Sequence, residues 1–230
     1  MRNPRRFYIL VSLTALCVVS LMTVTLGFSL PKWFPFSSER SLYEWEDKIF
    51  RGKVIYTIEK SGQEGCLHAL SIGSASAIFY RIKDRYKAED YPMISWKWRV
   101  VKFPDKEKLR LRQGIEKDDY AARIYMIFPS INFMASKALE YVWDETVPVE
   151  TVCASPYSKN IKLVVLESGL GKLGQWVAEE RNIFEDYRRA FGINPKLKVG
   201  AIALMSDADN TQDVSEAYFG DIRIGYKKER

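Results

Sequence analysis

The chain is poor in the side chains that most enzyme chemistry needs. In 230 residues it has one histidine, His68, and three cysteines, Cys17, Cys66 and Cys153. A Ser-His-Asp or Cys-His arrangement would have to use His68, and no G-x-S-x-G elbow accompanies it. In "CLHALSI" that histidine reads as a half-buried strand residue. So few sulfur and imidazole donors argue against a zinc site of the usual type. Cys17 lies in an apolar run, where "TALC" puts Leu16 at the position a lipoprotein cysteine needs small. An oxidising compartment would let Cys66 and Cys153 pair, but nothing local brings them together. Buried free thiols fit equally well.

One stretch lacks charge altogether. From Phe7 to Leu30, "FYILVSLTALCVVSLMTVTLGFSL" holds no charged residue. At about 1.5 Å per residue, such a run crosses a hydrocarbon core of roughly 30 Å. Arg2, Arg5 and Arg6 precede it. Basic residues stay cytoplasmic, so the rest of the chain is expected outside the inner membrane. Residues 1–30 are then either an N-terminal transmembrane helix or a cleaved signal segment. The apolar region of a signal is shorter, about 7–15 residues, and "VTLGFS" is a poor cleavage site. Either reading gives an exported domain, periplasmic and anchored or secreted. The net charge of +6 includes the three leading arginines. The remainder is only mildly basic and does not point to nucleic acid. "KFPDKEKLRLR" (102–112) is interrupted by Asp105 and Glu107 and reads as a solvated loop, or as a contact for a membrane surface or acidic glycan.

"PKWFPFSSERS" (31–41) reads as a linker, followed by one domain over 42–230. No internal repeat or low-complexity tract interrupts it. Its apolar period is mostly two. "KVIYTIE" (53–59), "CLHALSIGS" (66–74), "SAIFYRI" (76–82), "YAARIYMIF" (120–128), "IKLVVLES" (161–168), "LKVGAIALMSD" (197–207) and "EAYFGDIRIGY" (216–226) all read as strands. "MISWKWRVV" (93–101) alternates cleanly, with Trp96, Trp98 and Val100 on one face. Helix is scarce. "NFMASKALEYVWD" (132–144) is an ambiguous candidate, and "NIFEDYRRAFG" (182–192) is a short helix that Gly192 could cap. The fold predicted is mainly β, an antiparallel sandwich or barrel with one or two short helices.

Gly169, Gly171 and Gly174 have dinucleotide-fingerprint spacing, but "QWVAEER" after them starts a strand rather than the required helix. A glycine-rich hairpin loop is expected there. Arg123 stands mid-strand in an apolar run, which is costly unless it is paired or faces solvent. Asp118, Asp119, Asp186 and Asp207 are its possible partners. They would make either a structural ion pair or a charged groove floor with carboxylates for acid–base work. Trp96, Trp98, Trp143 and Trp176 are either core or a platform for sugar rings. In "SDADNTQDVSEAYFGDI" (206–222), Asp207, Asp209, Thr211 and Asp213 alternate as in a calcium loop. An EF-hand also needs Gly sixth and Glu twelfth, where this chain has Gln212 and Tyr218. An acidic loop between the last two strands remains.

Five ordered segments, "ISWKWRV" (94–100), "DDYAARIYMIF" (118–128), "EYVWD" (140–144), "WVAEERNIFEDYRRAFG" (176–192) and "DADNT…AYFGDI" (207–222), resemble a bacterial family known as domain of unknown function 3047. That resemblance spans most of 42–226 and implies no activity. More loosely, the chain resembles galactose-binding-like jelly-roll β-sandwiches, the fold of many carbohydrate-binding modules. Some of these hold a structural calcium, and Glu46 and Asp221 would be the matching ligands; no other cofactor is expected. The expected role is ligand binding at the cell envelope, with a glycan or an envelope protein as partner. The candidate site comprises Asp118, Asp119, Arg123, Trp143, Arg181, Asp207, Asp209 and Asn210. In it, acidic and amide groups would hold hydroxyls, arginine would anchor one end and tryptophan would stack. The rival readings are a polysaccharide hydrolase or lyase using two carboxylates, and an assembly partner with a flat apolar patch.

Overall fold

A computed structural model describes residues 30–61, 64–109 and 118–228. The period-two segments become strands of two packed sheets. One sheet contains β1 (Lys32–Phe34), β3 (Ile55–Ser61), β4 (Glu64–Ile72), β6 (Met93–Lys102), β11 (Val177–Asn182) and β13 (Val214–Tyr226). Its order is β11-β6-β13-β4-β3, with β1 laid on the far end of β13. The other contains β2 (Trp45–Arg51), β5 (Ala75–Tyr86), β7 (Ala122–Phe128), β8 (Lys137–Asp144), β9 (Val152–Ser155), β10 (Ser158–Ser168) and β12 (Val199–Asp207), ordered β2-β5-β12-β7-β8-β10-β9. The expected mainly β sandwich is therefore present. Its ladders are antiparallel except β8–β10, which is parallel.

The core lies between the sheets. Ile94, Trp96, Trp98 and Val100 of β6 point into it, with Ile124 and Met126 of β7 and Ile202 and Leu204 of β12 opposite. Trp96 meets Trp98 edge-on at 5.4 Å, and Trp98 lies 6.1 Å from Trp143. Trp143 is 1 % exposed, so it cannot offer a stacking face to a ligand, contrary to expectation. Its strand shows why. "NFMASKALEYVWD" is a short 3-10 turn (Phe133–Ala135) followed by β8, not a helix. Alternation puts Leu139, Tyr141 and Trp143 inward and Glu140, Val142 and Asp144 on the opposite face.

The predicted helix forms as α1 (Ile183–Phe191). Asn182 caps its start by accepting from the backbone N–H of Phe184 and of Glu185, both at 3.1 Å, and Gly192 closes it at φ 70°. Only glycine takes that conformation without strain. Tyr187 of α1 packs 4.8 Å from Phe128. The glycine-rich segment 169–175 forms turns joining β10 to β11. It passes from one sheet to the other, so it is not the expected hairpin.

Residues 31–41 are not a linker. β1 pairs with β13 through Phe34↔Ile222, and Phe34 and Phe36 are buried. Gly65 has no room for a side chain, because a Cβ there would collide with the Phe36 carbonyl. The N-terminal membrane segment lies outside the described residues. Among the described residues no helix is long and apolar enough to cross a membrane. Cys66 is buried on β4 and Cys153 exposed on β9; both are free thiols.

β11 carries one group poorly suited to its place. Glu179 has a carboxylate oxygen enclosed with no hydrogen-bond partner among the described residues. Burial, and then Glu167, push its pKa from 4.5 up to about 7. A carboxylate whose folded pKa is raised contributes stability that is complete below its unfolded pKa and lost as pH rises through the folded one. Stability should therefore decline as pH rises from 4.5 towards 7. Glu179→Gln should match the parent at low pH and melt higher than it above neutrality. Melting curves across pH check this; equal differences at all pH values would disprove it.

Candidate functional site

The face of the seven-stranded sheet turned away from the core gathers most of the candidate residues. Arg123 is 2 % exposed there. Its Nε donates to Asp207 Oδ1 at 3.0 Å, and its Nη1 to Glu140 Oε1 at 2.7 Å and Asp118 Oδ2 at 3.1 Å. Nη2 donates to Asp207 Oδ2 and to the Asp118 carbonyl. The guanidinium thus has an acceptor on each nitrogen. Tyr125 adds its hydroxyl, which donates to Glu140 Oε1 at 2.8 Å. The Tyr120 ring lies near two cations, Arg123 at 4.6 Å and Lys106 at 3.9 Å from its centre.

One guanidinium faces three carboxylates, from Asp118, Glu140 and Asp207. It cannot neutralise all of them in a site this dry. Burial, opposed by Arg123, pushes Asp207 up to about 7, and neighbouring Asp119 adds to the rise. Burial also raises Glu140, again against Arg123. Burial opposes the charge on Arg123, yet Asp207 and its neighbours hold its pKa well above the ordinary value. Arg123 stays charged and the surplus lies with the carboxylates.

Beside this cluster the β12–β13 loop is tied down. Asp119 accepts the backbone N–H of Asn210 at 3.1 Å and of Thr211 at 2.7 Å. Asn210 donates its amide to the hydroxyl of exposed Tyr157 at 3.2 Å. Asp209 is half-buried and lies 3.9 Å from Arg51. Ligand oxygens of Asp119, Asp207 and Asp209 come within 4.8 Å of one another, so these are the described residues placed to hold a cation. Both oxygens of Asp119 and of Asp207 already accept hydrogen bonds from the chain.

Next to the cluster, small residues of β12 lie between larger ones of β5 and β7. Ile202 and Leu204 face the core, so Ala201, Ala203 and Met205 face outward. Ala203 lies between Phe79 of β5 and Tyr125 of β7, and Ala201 between Arg81 and Ile127. Ala201 is 8 % and Ala203 5 % exposed. Arg81 caps one side of the Phe79 ring at 5.1 Å and is held by Glu46 through bonds of 2.7 and 3.1 Å.

Of the predicted site residues, Asp118, Asp119, Arg123, Asp207, Asp209 and Asn210 come together. Trp143 is in the core. Arg181 is on the other sheet, where it binds Asp186 and Glu150 and leaves the cluster without it. Glu46 and Asp221 stand on different sheets. Glu46 on β2 is engaged by Arg81, and Asp221 on β13 of the opposite sheet pairs with Lys97 at 2.7 Å. Glu140, Tyr125 and Phe79 were missed. The signal for Glu140 was its alternation with Val142 and Asp144, hidden by the helix–strand ambiguity of 132–144. His68 bridges two carboxylates on the six-stranded sheet, Glu59 at 2.9 Å and Glu216 at 3.0 Å, and stacks on Tyr218. It takes no part in the cluster.

Several solved structures align with this chain at low identity. The family 11 carbohydrate-binding module of a cellulosomal cellulase of Clostridium thermocellum aligns at 12% identity and TM-score 0.47, covering 87% of this chain and 98% of that one. A thermostable cellulase derived from one of Rhodothermus marinus aligns at 9% identity and TM-score 0.47, covering 84% and 94%. The xyloglucanase domain of a type three effector from Sinorhizobium fredii aligns at 12% identity and TM-score 0.42, covering 80% and 93%. No curated protein matches the sequence. The family model described as protein of unknown function (DUF3047) matches residues 43–223, nearly the whole sandwich, and the chain belongs to that family.

Proposed function

We propose that the domain binds a glycan chain at the cell envelope, along the outward face of β12. The observation that carries this reading is the pair of small residues, Ala201 and Ala203, beside the half-buried rings of Phe79 and Tyr125. Sugar rings present apolar C–H faces that pack on aromatic and aliphatic surface, with hydroxyls at their edges. Asp209, Asn210 and Tyr157 lie beyond the Asp207 end of β12 and supply acceptors and donors for those hydroxyls. The Arg123 cluster does not contact the ligand in this reading; its nitrogens are satisfied, and it holds Tyr125 and the β12–β13 loop in place. The uncharged run 7–30 would keep the domain at the outer side of the inner membrane.

Calorimetric titration with soluble β-glucan, mannan and galactan tests this. Saturable binding to at least one is expected. Ala203→Leu raises that surface without removing a polar partner and should weaken that binding by roughly tenfold or more, about 1.4 kcal/mol. Absence of binding to every polysaccharide, or unchanged affinity in a folded Ala203→Leu protein, would overturn the proposal.

A further inference from the structure

The end of the sandwich at Leu30 carries exposed basic and aromatic side chains with no role so far, and Lys227 and Lys228 there line a cleft together with Glu89, Asp90, Glu180 and Glu185. Leu30 is the last residue of that run. It is half-buried against the core, and its side chain fills the space over Gly225 of β13, where a Cβ would overlap it. No spacer therefore separates the run from the folded domain. Trp33 follows at once, 60 % exposed and directly opposite Arg223 in the β1–β13 ladder, so both project from the same outward face. Arg223 is exposed and stacks on the Tyr226 ring at 4.4 Å. Exposed Lys227 and Lys228 come next, with Lys228 paired to Glu180 at 3.1 Å.

We infer that this end, formed by Trp33, Arg223, Lys227 and Lys228, seats on the anionic headgroups of the bilayer. The inference rests on residues 7–30 being a retained membrane segment and not on glycan binding. Three physical arguments support it. A domain joined to the span without a spacer must lie against the headgroup layer. Tryptophan favours that layer, with an apolar ring and a polar N–H. Lysine and arginine are attracted to anionic lipid within a Debye length of the surface. The seat also sets orientation. β13 runs from Val214 to Tyr226, roughly 40 Å at about 3.3 Å per residue. The loop 207–213 then points away from the membrane, where an extended polymer can reach it.

The test places the full chain in nanodiscs of phosphatidylcholine and phosphatidylglycerol containing a headgroup spin-labelled lipid, and reads amide signals by NMR. Broadening is expected for 32–34 and 222–228 and not for 207–213. Arg223→Glu combined with Lys227→Glu should reduce the broadening in discs containing phosphatidylglycerol and change it little in phosphatidylcholine alone. Equal broadening at both ends would overturn the seat, and a charge reversal without effect would overturn the assignment to anionic headgroups. A chain that does not enter discs would overturn the membrane reading of 7–30 itself, and the seat with it.

Discussion

Arg123→Met is expected to destabilise the domain by about 3–5 kcal/mol, the usual cost of removing one partner from a buried ionic network. The methionine replaces much of the side-chain volume, so the loss is electrostatic. Asp118, Glu140 and Asp207 are each 5 % exposed or less and would face one another with no cation between them. Two further results follow from the same charge count. Glu140→Gln in the Arg123→Met background should recover part of the loss, because it removes one of the surplus charges. Lowering the pH should shrink the gap between parent and variant, because protonated carboxylates need no partner. Urea denaturation of the three proteins at acidic and neutral pH measures all of this. A variant as stable as the parent at neutral pH would show that the cluster does not hold together as an ionic network.

The second large effect is expected at Phe36. Phe36→Ala should cost about 3–5 kcal/mol, as for other fully buried aromatic side chains. Phe36 is 0 % exposed and sits 5.8 Å from Trp45, while its carbonyl closes over Gly65. Exposed Ser37, the next residue, should tolerate alanine within about 0.5 kcal/mol. Chemical denaturation compares the two, and hydrogen exchange in β1 should rise in the Phe36 variant alone. Equal, small effects at both positions would return 31–41 to the status of a linker.

The segment containing Phe36 also shows how local reading goes astray. Pro31, Pro35 and three serines mark 31–41 as connecting chain by composition. Two of its phenylalanines are nevertheless core, because β13 is long enough to offer β1 a partner beyond the ends of β4. No local pattern reports the length of a strand nearly two hundred residues away. Similarly, 132–144 satisfied helical and strand periods about equally; β7 on one side and β10 on the other decided for strand by taking its backbone hydrogen bonds. By contrast, "MISWKWRVV" and "NIFEDYRRAFG" were legible because their signals are local: clean alternation in the first, an Asn cap and a terminal glycine in the second.

The candidate site divides along the same line. The chain by itself determined that Arg123 had to be paired or face solvent, since a mid-strand arginine in an apolar run is costly otherwise. It also determined that 207–213 is a turn between strands rather than a calcium loop of the helix–loop–helix kind. Only the tertiary structure decided which acids answer Arg123. Asp207 and Glu140 reach it because β12 and β8 flank β7, while Arg181 takes Asp186 on the far side of the core. It alone decided that Trp143 is packed away and that Ala201 and Ala203 lie between Phe79, Arg81, Tyr125 and Ile127. Strand alternation is written in single residues, but which strands become neighbours depends on how the two sheets bury their apolar faces together, and that is a property of the whole chain.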